Sequence, residues 1–583
     1  MKRHHQLSKS IRDNRFAIIV FIVSFSIFIS VIGSLAYVLT KGKFKAYHGS
    51  ALTGDIAWPV FDGGLDSPGT NYKESTLNAG NVSGLVKLWK SPTPAAADSA
   101  IVEWPNVTTA GGVKDLVFVN TVKGNLLAFD AATGAKVWEA DPSSTNYNGQ
   151  GTKSTPAIDP SGSFIYAYAL DGYVHKYNIS TGVELKDTGF PVQATILPND
   201  IEKGSSSLNI GNGYLYMTIG GNDGDYNHYT GHIVAVKLAT GTATVWNAEC
   251  SDITRLLGTS GSNYCSNNQA GIWNRPGVKV DPVTGNVFVA TGNGNYNANN
   301  GGHNWGDSIV ELKPDLSQVV DSYTPSSYAS LDSKDADLGS SAPVILPTQS
   351  ASSKPYLLVQ GGKDHLLRLF DRTNLSGQGG PGHTDGELSS VPVSNEMHGQ
   401  PALWVDGSGT SWIFCVDDGG NLYAFKLVIT NGTPKLVQVY KNSTLGVSSS
   451  PFVANGVLYL DAGSILAVNP TTGAVLFDSK SIGITITPHW ESPVVVNGTL
   501  FTSDNASSVY ALSNPSAIPP APTPVPPAKL GDINGDGLVD ITDLSILLSH
   551  YGKTVVVNTL GDLNGDGRVD ITDLSILLSH YKT

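Results

Sequence analysis

Cysteine, methionine and charged side chains are scarce in this sequence of 583 residues. It has three cysteines and three methionines, and only 15% of its residues are Asp, Glu, Lys or Arg. Positive charge is in deficit, since the net charge is -13 at pH 7. That deficit argues against nucleic-acid binding and against a polybasic membrane-binding patch. Residues 50–513 also lack helical periodicity, which excludes a mainly helical body.

An uncharged stretch of 24 residues, Phe16–Leu39, is long enough to cross a bilayer as a helix. Five Lys and Arg residues precede it, and three lysines follow it closely. By the positive-inside rule, we expect a cytoplasmic basic tail at 1–15, a single-pass transmembrane signal anchor at 16–39, and an extracellular body after it. The alternative is cleavage after Ala36, which would make the protein secreted.

The three cysteines are consistent with an extracellular body. Cys250 and Cys265 flank a polar segment, and in an oxidising compartment we expect them to form a local disulfide. Cys415 lies in the strand-like run Trp412–Val416, so we expect it to be a buried apolar residue.

Residues 50–513 repeat one phrase, in which an alternating strand, a turn and a second strand lead to a polar Asp/Asn-x-x-Thr-Gly turn. A second marker is a small residue followed by proline and an apolar strand. It recurs at Pro105, Pro156, Pro276, Pro343, Pro401, Pro451 and Pro493, with Ser206 in the equivalent place of the third unit. Eight such units predict an all-β eight-bladed propeller. The eighth unit stops short, so we expect Leu85–Lys90 to supply its outer strand and close the ring.

The repeat phrase of residues 126–138, Leu-Leu-Ala-Phe-Asp-Ala-Ala-Thr-Gly-Ala-Lys-Val-Trp, resembles the repeats of pyrroloquinoline-quinone (PQQ) propellers. That family includes quinoprotein alcohol dehydrogenases and also outer-membrane assembly propellers that bind no cofactor. The resemblance spans most of residues 57–512 and implies the fold more strongly than it implies catalysis.

The quinoprotein dehydrogenases hold their quinone with calcium, stack it on a tryptophan and place an acidic base beside the alcohol. The resemblance implies that Asn293 and Asp225 are possible calcium ligands, that Trp273 is the stacking residue and that Lys363 bonds the quinone. No aspartate is found where the family's base falls, and His303 is the substitute at that place. Each of these residues also has an ordinary interpretation as a turn, packing or surface residue.

Four acidic residues lie close to predicted central strands and raise a third interpretation. They are Glu103, Asp337, Glu396 and Glu491, with Trp104, His398, His489 and Trp490 beside them. Such a group can line a carbohydrate-binding or glycoside-hydrolysing channel or a merely solvated one.

A proline-rich linker at 514–529 follows the propeller, and it favours extended polyproline II structure. After it, Asp532-Ile-Asn-Gly-Asp-Gly-Leu-Val-Asp-Ile-Thr-Asp543 has the ligand spacing of an EF-hand loop, and a near-identical copy follows at Asp562–Asp573. The predicted calcium ligands are Asp532, Asn534, Asp536, the carbonyl of Leu538, Asp540 and Asp543, and then Asp562, Asn564, Asp566, the carbonyl of Arg568, Asp570 and Asp573.

Each loop runs into a helical pattern and carries aspartate at its twelfth position, so residues 530–583 resemble a type I dockerin module. The resemblance implies a small α-helical domain that holds two calcium ions and docks onto a cohesin domain. Partner choice would lie at Ile541, Thr542, Ile571 and Thr572. A calcium-stabilised cap without a partner is the alternative.

These features predict a cell-surface or secreted propeller protein that its dockerin joins to a cohesin-bearing partner, in an assembly of the polysaccharide-degrading kind. The alternatives are a calcium-dependent PQQ dehydrogenase of alcohols or sugars, and a carbohydrate-binding or hydrolytic propeller.

Overall fold

β-Strands make up most of the regular structure in the computed structural model of this chain. It describes residues 56–64, 68–142, 146–149, 151–222, 228–517, 529–534, 537–556 and 559–582. The chain divides into two compact units, one ending at Ala517 and the other within residues 518–583.

Among its described residues the first unit contains eight sheets, each built on four antiparallel strands, and each sheet is one blade of a propeller. Blade 1 contains β3 (Val102–Thr109), β4 (Gly112–Asn120), β5 (Leu126–Asp130) and β6 (Lys136–Ala140). Blade 2 contains β7 (Ala157–Ile158), β8 (Phe164–Tyr168), β9 (Tyr173–Asn178) and β10 (Val192–Gln193). Blade 3 contains β12 (Asn209–Gly211), β13 (Tyr214–Gly221), β14 (His232–Lys237) and β15 (Thr242–Asn247), and blade 4 contains β16 (Lys279–Val280), β17 (Val287–Ala290), β18 (Ile309–Leu312) and β19 (Val319–Tyr323). In blade 3, β11 (Glu202–Lys203) also pairs with β13.

Blades 5–8 continue the pattern, after a short helix α1 (Tyr328–Asp332) between blades 4 and 5. Blade 5 contains β20 (Val344–Ile345), β21 (Leu357–Gly361), β22 (Leu366–Asp371) and β23 (Ser389–Pro392). Blade 6 contains β24 (Ala402–Val405), β25 (Ser411–Asp417), β26 (Asn421–Thr430) and β27 (Thr433–Asn442). Blade 7 contains β28 (Phe452–Ala454), β29 (Val457–Asp461), β30 (Ile465–Val468) and β31 (Val475–Asp478), and blade 8 contains β32 (Val494–Val496), β33 (Thr499–Asp504), β34 (Ser508–Ser513) and β2 (Val86–Pro92). The early strand β1 (Thr70–Asn71) adds to blade 7, parallel to β28.

The outer strand of blade 8 is β2, which comes from the beginning of the propeller. It pairs antiparallel with β34 from Val86–Ser513 to Pro92–Ser508. The predicted closure of the ring by residues 85–90 is therefore confirmed. Because the first and last parts of the propeller share one sheet, blade 8 cannot form without both of them.

The repeated Asp/Asn-x-x-Thr-Gly turn connects the third and fourth strands of a blade and packs against the preceding blade. In blade 1, Asp130 accepts hydrogen bonds from the backbone N–H groups of Ala132 and Thr133, and Gly134 has φ +70°. A Cβ on Gly134 would lie 2.6 Å from the ring of Trp89, whose Nε1 donates to the carbonyl of Ala131 at 2.9 Å. The turn glycine is thus needed both for its backbone conformation and for close contact with an aromatic ring of the preceding blade.

The same contact recurs around the ring. In blade 2, a Cβ on Gly182 would lie 2.6 Å from Trp138 of blade 1, whose Nε1 donates to Ile179. In blade 7, Gly473 faces Tyr440 of blade 6 in the same way, and the Tyr440 hydroxyl donates to Pro470. Trp89 on the closing strand is therefore the blade 8 copy of a contact that the sequence repeats.

Residues 56–64 and 68–72 contact the inner strands toward one end of the propeller axis. Their contacts reach six blades and consist of Trp58 with Glu103, Pro59 with Ile158, Asp62 with Lys279, Pro68 with Leu403, Gly69 with Val453 and Asn71 with Val495. These partners lie in the inner strands or beside them, so the segment covers this end of the axis. The residues that lead into the inner strands lie toward the other end of the axis, where they line a cavity.

The second unit contains two helices, α2 (Ile541–His550) and α3 (Ile571–Ser579), which pack around Val539, Leu547, Val569 and Leu577. The two halves exchange backbone bonds: Lys582 N–H donates to the carbonyl of Val539, and Gly552 N–H donates to that of Val569, each at 2.7 Å. Each loop is thereby paired with the chain that follows the other half's helix, so we expect the two halves to fold together.

The cysteine predictions are confirmed, because Cys250 and Cys265 form a disulfide and Cys415 is buried. Among the described residues no helix is long and apolar enough to span a membrane. Residues 16–39, for which the sequence predicts a transmembrane helix, lie outside the described residues, as does most of the predicted linker.

We predict that Trp89→Ala destabilises the propeller by about 3–5 kcal/mol, because it removes a buried ring from the closing strand and leaves a cavity. Urea unfolding followed by tryptophan fluorescence measures the change. Leu88→Ala is the matched control, since Leu88 is the neighbouring residue and is 41% exposed. We expect the control to change stability by no more than about 0.5 kcal/mol. An effect of Trp89→Ala no larger than that of the control would show that ring closure does not depend on this contact.

We further predict that Glu311→Gln alters how stability depends on pH. Burial raises the pKa of Glu311 from 4.5 to about 7, with Asp321 and Asp281 adding to the rise, while Asn286 donates to its Oε1. Because the folded pKa lies above the unfolded one, its favourable contribution is complete below pH 4.5 and is lost as the pH rises through 7. Urea midpoints should therefore agree at pH 4, and at pH 8 the variant should be more stable by up to about 3 kcal/mol. Parallel pH profiles would contradict this assignment.

Candidate functional site

The open end of the propeller axis holds a cavity of about 150 Å³. Its lining includes Lys153, Lys203, Trp273, Ser340, His398 and Trp490, and each of these lies three residues before a repeat marker. The inner strands converge on the axis of a propeller, so the residues just before them meet at one end of it. The position within the repeat therefore identifies the axial side chains.

The cavity combines positive and negative side chains. Lys363 is 15% exposed, and its Nζ lies 2.5 Å from Oδ2 of Asp337 and 3.2 Å from Oδ1 of Asp335. Burial lowers the pKa of Lys363, but the two aspartates outweigh that effect and hold the pKa above its usual value. Lys363 is therefore charged at neutral pH, with two carboxylates beside it.

Asn293 belongs to the same group. Its backbone N–H donates to Oδ1 of Asp337 at 2.8 Å, and its Nδ2 donates to Oδ1 of Asp335 at 3.0 Å. Its Oδ1 is buried and accepts no hydrogen bond from the described part of the chain. A buried oxygen without a partner is costly, and an amide oxygen is a ligand that calcium accepts.

Two further buried carboxylates flank this group. Oε1 of Glu249 accepts from Asn295 N–H at 2.6 Å, and Oδ1 of Asp307 accepts from Leu338 N–H at 3.0 Å, whereas the second oxygen of each has no partner among the described residues. Burial raises the pKa of Glu249 to about 9 and also raises that of Asp307, with Asp337 adding to the latter. A bound cation would offset the repulsion between these buried carboxylates. The available ligand atoms are all oxygens, which fits calcium.

Trp273 forms one wall of the cavity. A Cβ on Gly220, Gly271 or Gly292 would lie 2.4–2.5 Å from its ring, so three glycines allow the backbone to approach the indole closely. Its Nε1 donates to the carbonyl of Gly221 at 3.1 Å, which orients the ring. A ring packed and oriented in this way is suited to stack against a flat ligand.

The structure thus brings together Asn293, Trp273 and Lys363, as the sequence analysis expects, but it does not bring His303 to them. His303 is exposed, and its carbonyl accepts from Ser251 N–H at 2.9 Å, beside the disulfide. His303 is not among the residues that line the cavity, so the structure gives no support to the assignment of His303 as the base. The acidic groups next to Lys363 are Asp335, which the sequence analysis missed, and Asp337, which it placed only among the general channel acids. Asp225 lies outside the described residues.

The other predicted channel acids are dispersed. Glu103 is buried and bonds through its backbone to Trp58 at the covered end of the axis, and Glu491 is fully buried and accepts from His489 N–H. Asp98 contacts Nδ1 of His489 at 2.6 Å. Glu396 is half-exposed near His398. Glu491 lies with Asp98 at His489, whereas Glu396 lies at His398 and Glu103 at Trp58, so we assign the predicted channel acids no shared hydrolytic role.

The C-terminal unit presents its calcium loops in two closely similar copies. Asp543 and Asp573, at the twelfth positions, are fully buried, and each accepts three backbone N–H groups of its own loop. Asp562 accepts from the N–H groups of Gly565, Asp566 and Gly567 at 2.9–3.1 Å, which curls the loop inward.

The remaining predicted ligands among the described residues lie within the same two loops and bond to backbone or side-chain groups of those loops. Asp540 and Asp570 each cap a helix by accepting from Thr542 N–H and Thr572 N–H, and Asp532 accepts from Gly537 N–H. Asn564 and Asp566 bond to one another, Asn534 donates its N–H to Asp543, and Leu538 and Arg568 are predicted to offer only their carbonyls. Asp536 lies outside the described residues. Every predicted ligand atom is an oxygen, so the loops fit calcium.

The predicted partner-binding residues lie on the surface of this unit. Ile541 and Ile571 are each 61% exposed, and Thr542 and Thr572 are exposed beside them. Leu548 and Leu578, two turns further along each helix, are each 52% exposed. Each helix therefore buries Leu547 or Leu577 and leaves an apolar strip uncovered.

An eight-bladed propeller with an axial cavity and a helical unit with two calcium loops define the class of this protein. The family model of the glucose/ethanol/alcohol dehydrogenase β-propeller domain matches residues 58–378, and that of the dockerin type I domain matches residues 530–580. The chain belongs to the first family, whose model covers more than half of it, and it ends in a type I dockerin. No curated protein sequence matches it.

Solved structures share the fold. The quinohemoprotein alcohol dehydrogenase of Comamonas testosteroni matches with a TM-score of 0.55 and 14% identity over 80% of this chain and 81% of that one. The quinohemoprotein alcohol dehydrogenase ADHIIG of Pseudomonas putida HK5 matches with the same TM-score and 12% identity over 80% and 82% of the two chains. A europium-containing methanol dehydrogenase matches at 0.55 and 13% identity over 78% and 98%.

Proposed function

We propose that this protein is a component of an extracellular assembly, in which its dockerin binds a cohesin-bearing partner and thereby attaches the propeller to it. The observation that carries the proposal is the exposed apolar strip on each dockerin helix, beginning at Ile541 and Ile571. Exposed apolar strips held on rigid helices are typical of protein-binding surfaces.

The two strips give the dockerin two equivalent faces. Residues 540–551 and 570–581 are identical in sequence, and the two helices have the same pattern of burial. A cohesin that recognises one face therefore finds the same side chains on the other. We infer that the module docks in either of two orientations.

An extracellular location suits three features of the chain. Phe16–Leu39 would anchor the body outside the membrane, or cleavage after Ala36 would release it. The Cys250–Cys265 disulfide suits an oxidising compartment. Calcium loops of this kind are readily filled at extracellular calcium concentrations. A partner in polysaccharide degradation fits the dockerin.

We propose as a second function that the axial cavity binds PQQ and calcium and oxidises alcohols or sugars. The unpartnered Oδ1 of Asn293, beside Asp335, Asp337 and Lys363, favours it. Asn293 would hold calcium, Trp273 would stack against the ring system, and Lys363 would donate to a ring oxygen. Asp335 is 71% exposed and is suited to take a proton from a substrate hydroxyl. The bound quinone supplies the two-electron oxidation.

For the dockerin, we predict that replacing both Asp532 and Asp562 with alanine abolishes calcium binding and cohesin capture in the full chain. Calorimetry with calcium, followed by pull-down on a cohesin panel, measures both. Ile541→Asp alone should leave capture nearly unchanged, because the second face remains. Ile541→Asp with Ile571→Asp should keep both calcium ions and lose capture by at least about 100-fold, since each face would then bury a charge.

Val556→Asp is the matched control, since Val556 is 75% exposed and lies outside both helices. It should change neither calcium binding nor capture. If the double isoleucine variant binds cohesin as the native protein does, the proposed docking faces are wrong. If the native protein binds calcium but no cohesin of the panel, the module is a cap.

For the cavity, we predict that Trp273→Ala and Lys363→Met each weaken PQQ binding at least tenfold, about 1.4 kcal/mol. Equilibrium dialysis of the full chain with the quinone and saturating calcium measures this without requiring turnover. His303→Ala is the control and should bind normally, because His303 lies outside the cavity. Absence of binding to the native protein, or equal binding by all variants, would exclude the quinone site.

A further inference from the structure

Glu396, His398 and Asp418 form a cluster at the rim of the axial cavity. Glu396 and His398 lie on the segment before β24, and Asp418 lies in the turn after β25. Nδ1 of His398 is 2.8 Å from Oδ2 of Asp418, and its Nε2 is 4.0 Å from Oε2 of Glu396. One ligand atom from each of the three residues lies within 4.8 Å of the other two.

The backbone holds the two segments of this cluster in fixed register. Asp418 N–H donates to the carbonyl of Glu396 at 3.0 Å, and Ser340 Oγ donates to that of Met397 at 2.7 Å. A Cβ on Gly399 would lie 2.7 Å from Val416, so the segments are also closely packed. Rigid backbone under half-exposed side chains is the arrangement a preformed ion site needs.

The spacing of the ligand atoms suits one small ion. Ligands at about 2.0–2.2 Å from a common metal lie about 3–3.5 Å from one another. Nδ1 of His398 and Oδ2 of Asp418 are already close to that separation. Oε2 of Glu396 faces the other ring nitrogen, so a shared ion requires a rotamer change at Glu396 or His398. Glu396 and Asp418 have side-chain exposures of 44% and 51%, which leaves room for rotation and for water ligands.

The donor set and the surrounding charge indicate which ion. One imidazole and two carboxylates favour a divalent transition metal such as Zn²⁺, Co²⁺ or Mn²⁺ over calcium, which takes oxygen ligands alone. Arg275 interacts electrostatically with Asp418, and Lys153, Lys203 and Lys363 line the same cavity as His398. Among the described residues Glu396 forms an ion pair with none of these cations, so the carboxylates of Glu396 and Asp418 would both be available to a divalent ion.

We propose that Glu396, His398 and Asp418 are a transition-metal site. It is separate from the dockerin loops and from the group formed by Asn293, Asp335, Asp337 and Lys363. His398 lines the cavity, so the open positions of the ion would face a ligand bound there. Such an ion would bind a hydroxyl or carboxylate oxygen of that ligand. The proposal does not depend on quinone binding or on docking.

The test uses Co²⁺, whose visible absorption reports its coordination, on the full chain with excess calcium and no quinone. We expect one tightly bound Co²⁺ per chain by metal analysis after dialysis. His398→Ala and Asp418→Asn should each weaken its binding at least tenfold, with unchanged circular dichroism and melting temperature. The Asp532→Ala, Asp562→Ala double variant should retain it.

His303→Ala is the matched control, because His303 is an exposed histidine outside the cluster. It should bind Co²⁺ as the native protein does. If the native protein and His398→Ala bind Co²⁺ equally, or if neither binds it, the proposal is overturned and the cluster is an ion pair of His398 with its neighbouring acids.

Discussion

An aromatic ring packed on the turn glycine of the next blade is the contact on which this propeller depends. Trp89, Trp138 and Tyr440 each make it, and in each case the polar group of the ring bonds to a carbonyl of the same turn. A blade sheet has two apolar faces, and it can bury both only between neighbours. The contact therefore has to continue around the ring. Trp89 continues it across the closure, where the first and last parts of the propeller meet in one sheet.

Closure also determines where chemistry can take place. The inner strands converge on the axis, residues 56–64 and 68–72 contact them toward one end of it, and the residues before the inner strands line a cavity toward the other. The blades supply a rigid support, while the segments between them supply lysines, aspartates, tryptophans and a histidine. Because loops can change without disturbing the blades, the same propeller can carry a quinone site, a metal cluster or neither.

The C-terminal unit follows a different principle, since it has a small core and takes its order from its loops. Buried Asp543 and Asp573 each gather three backbone N–H groups, and the two halves exchange hydrogen bonds through Val539 and Val569. Calcium bound to the acidic oxygens would offset their mutual repulsion and add to the stability of the fold. Stability and docking are thereby linked, because the helices that expose Ile541 and Ile571 begin at the loops.

Features encoded by local spacing could be predicted from the sequence. The eight repeat markers indicate eight blades, the incomplete eighth unit indicates β2, and the alternating acids after Gly531 indicate the calcium loops, because each pattern lies within one strand, turn or loop. Only the tertiary structure joined Asn293 and Lys363 to Asp335 and Asp337, and only it placed Glu396 and His398 beside Asp418. Asp335 is 42 residues from Asn293 and 28 from Lys363. Side chains so far apart meet only because separate blades begin at one end of a common axis, and no local pattern records that convergence.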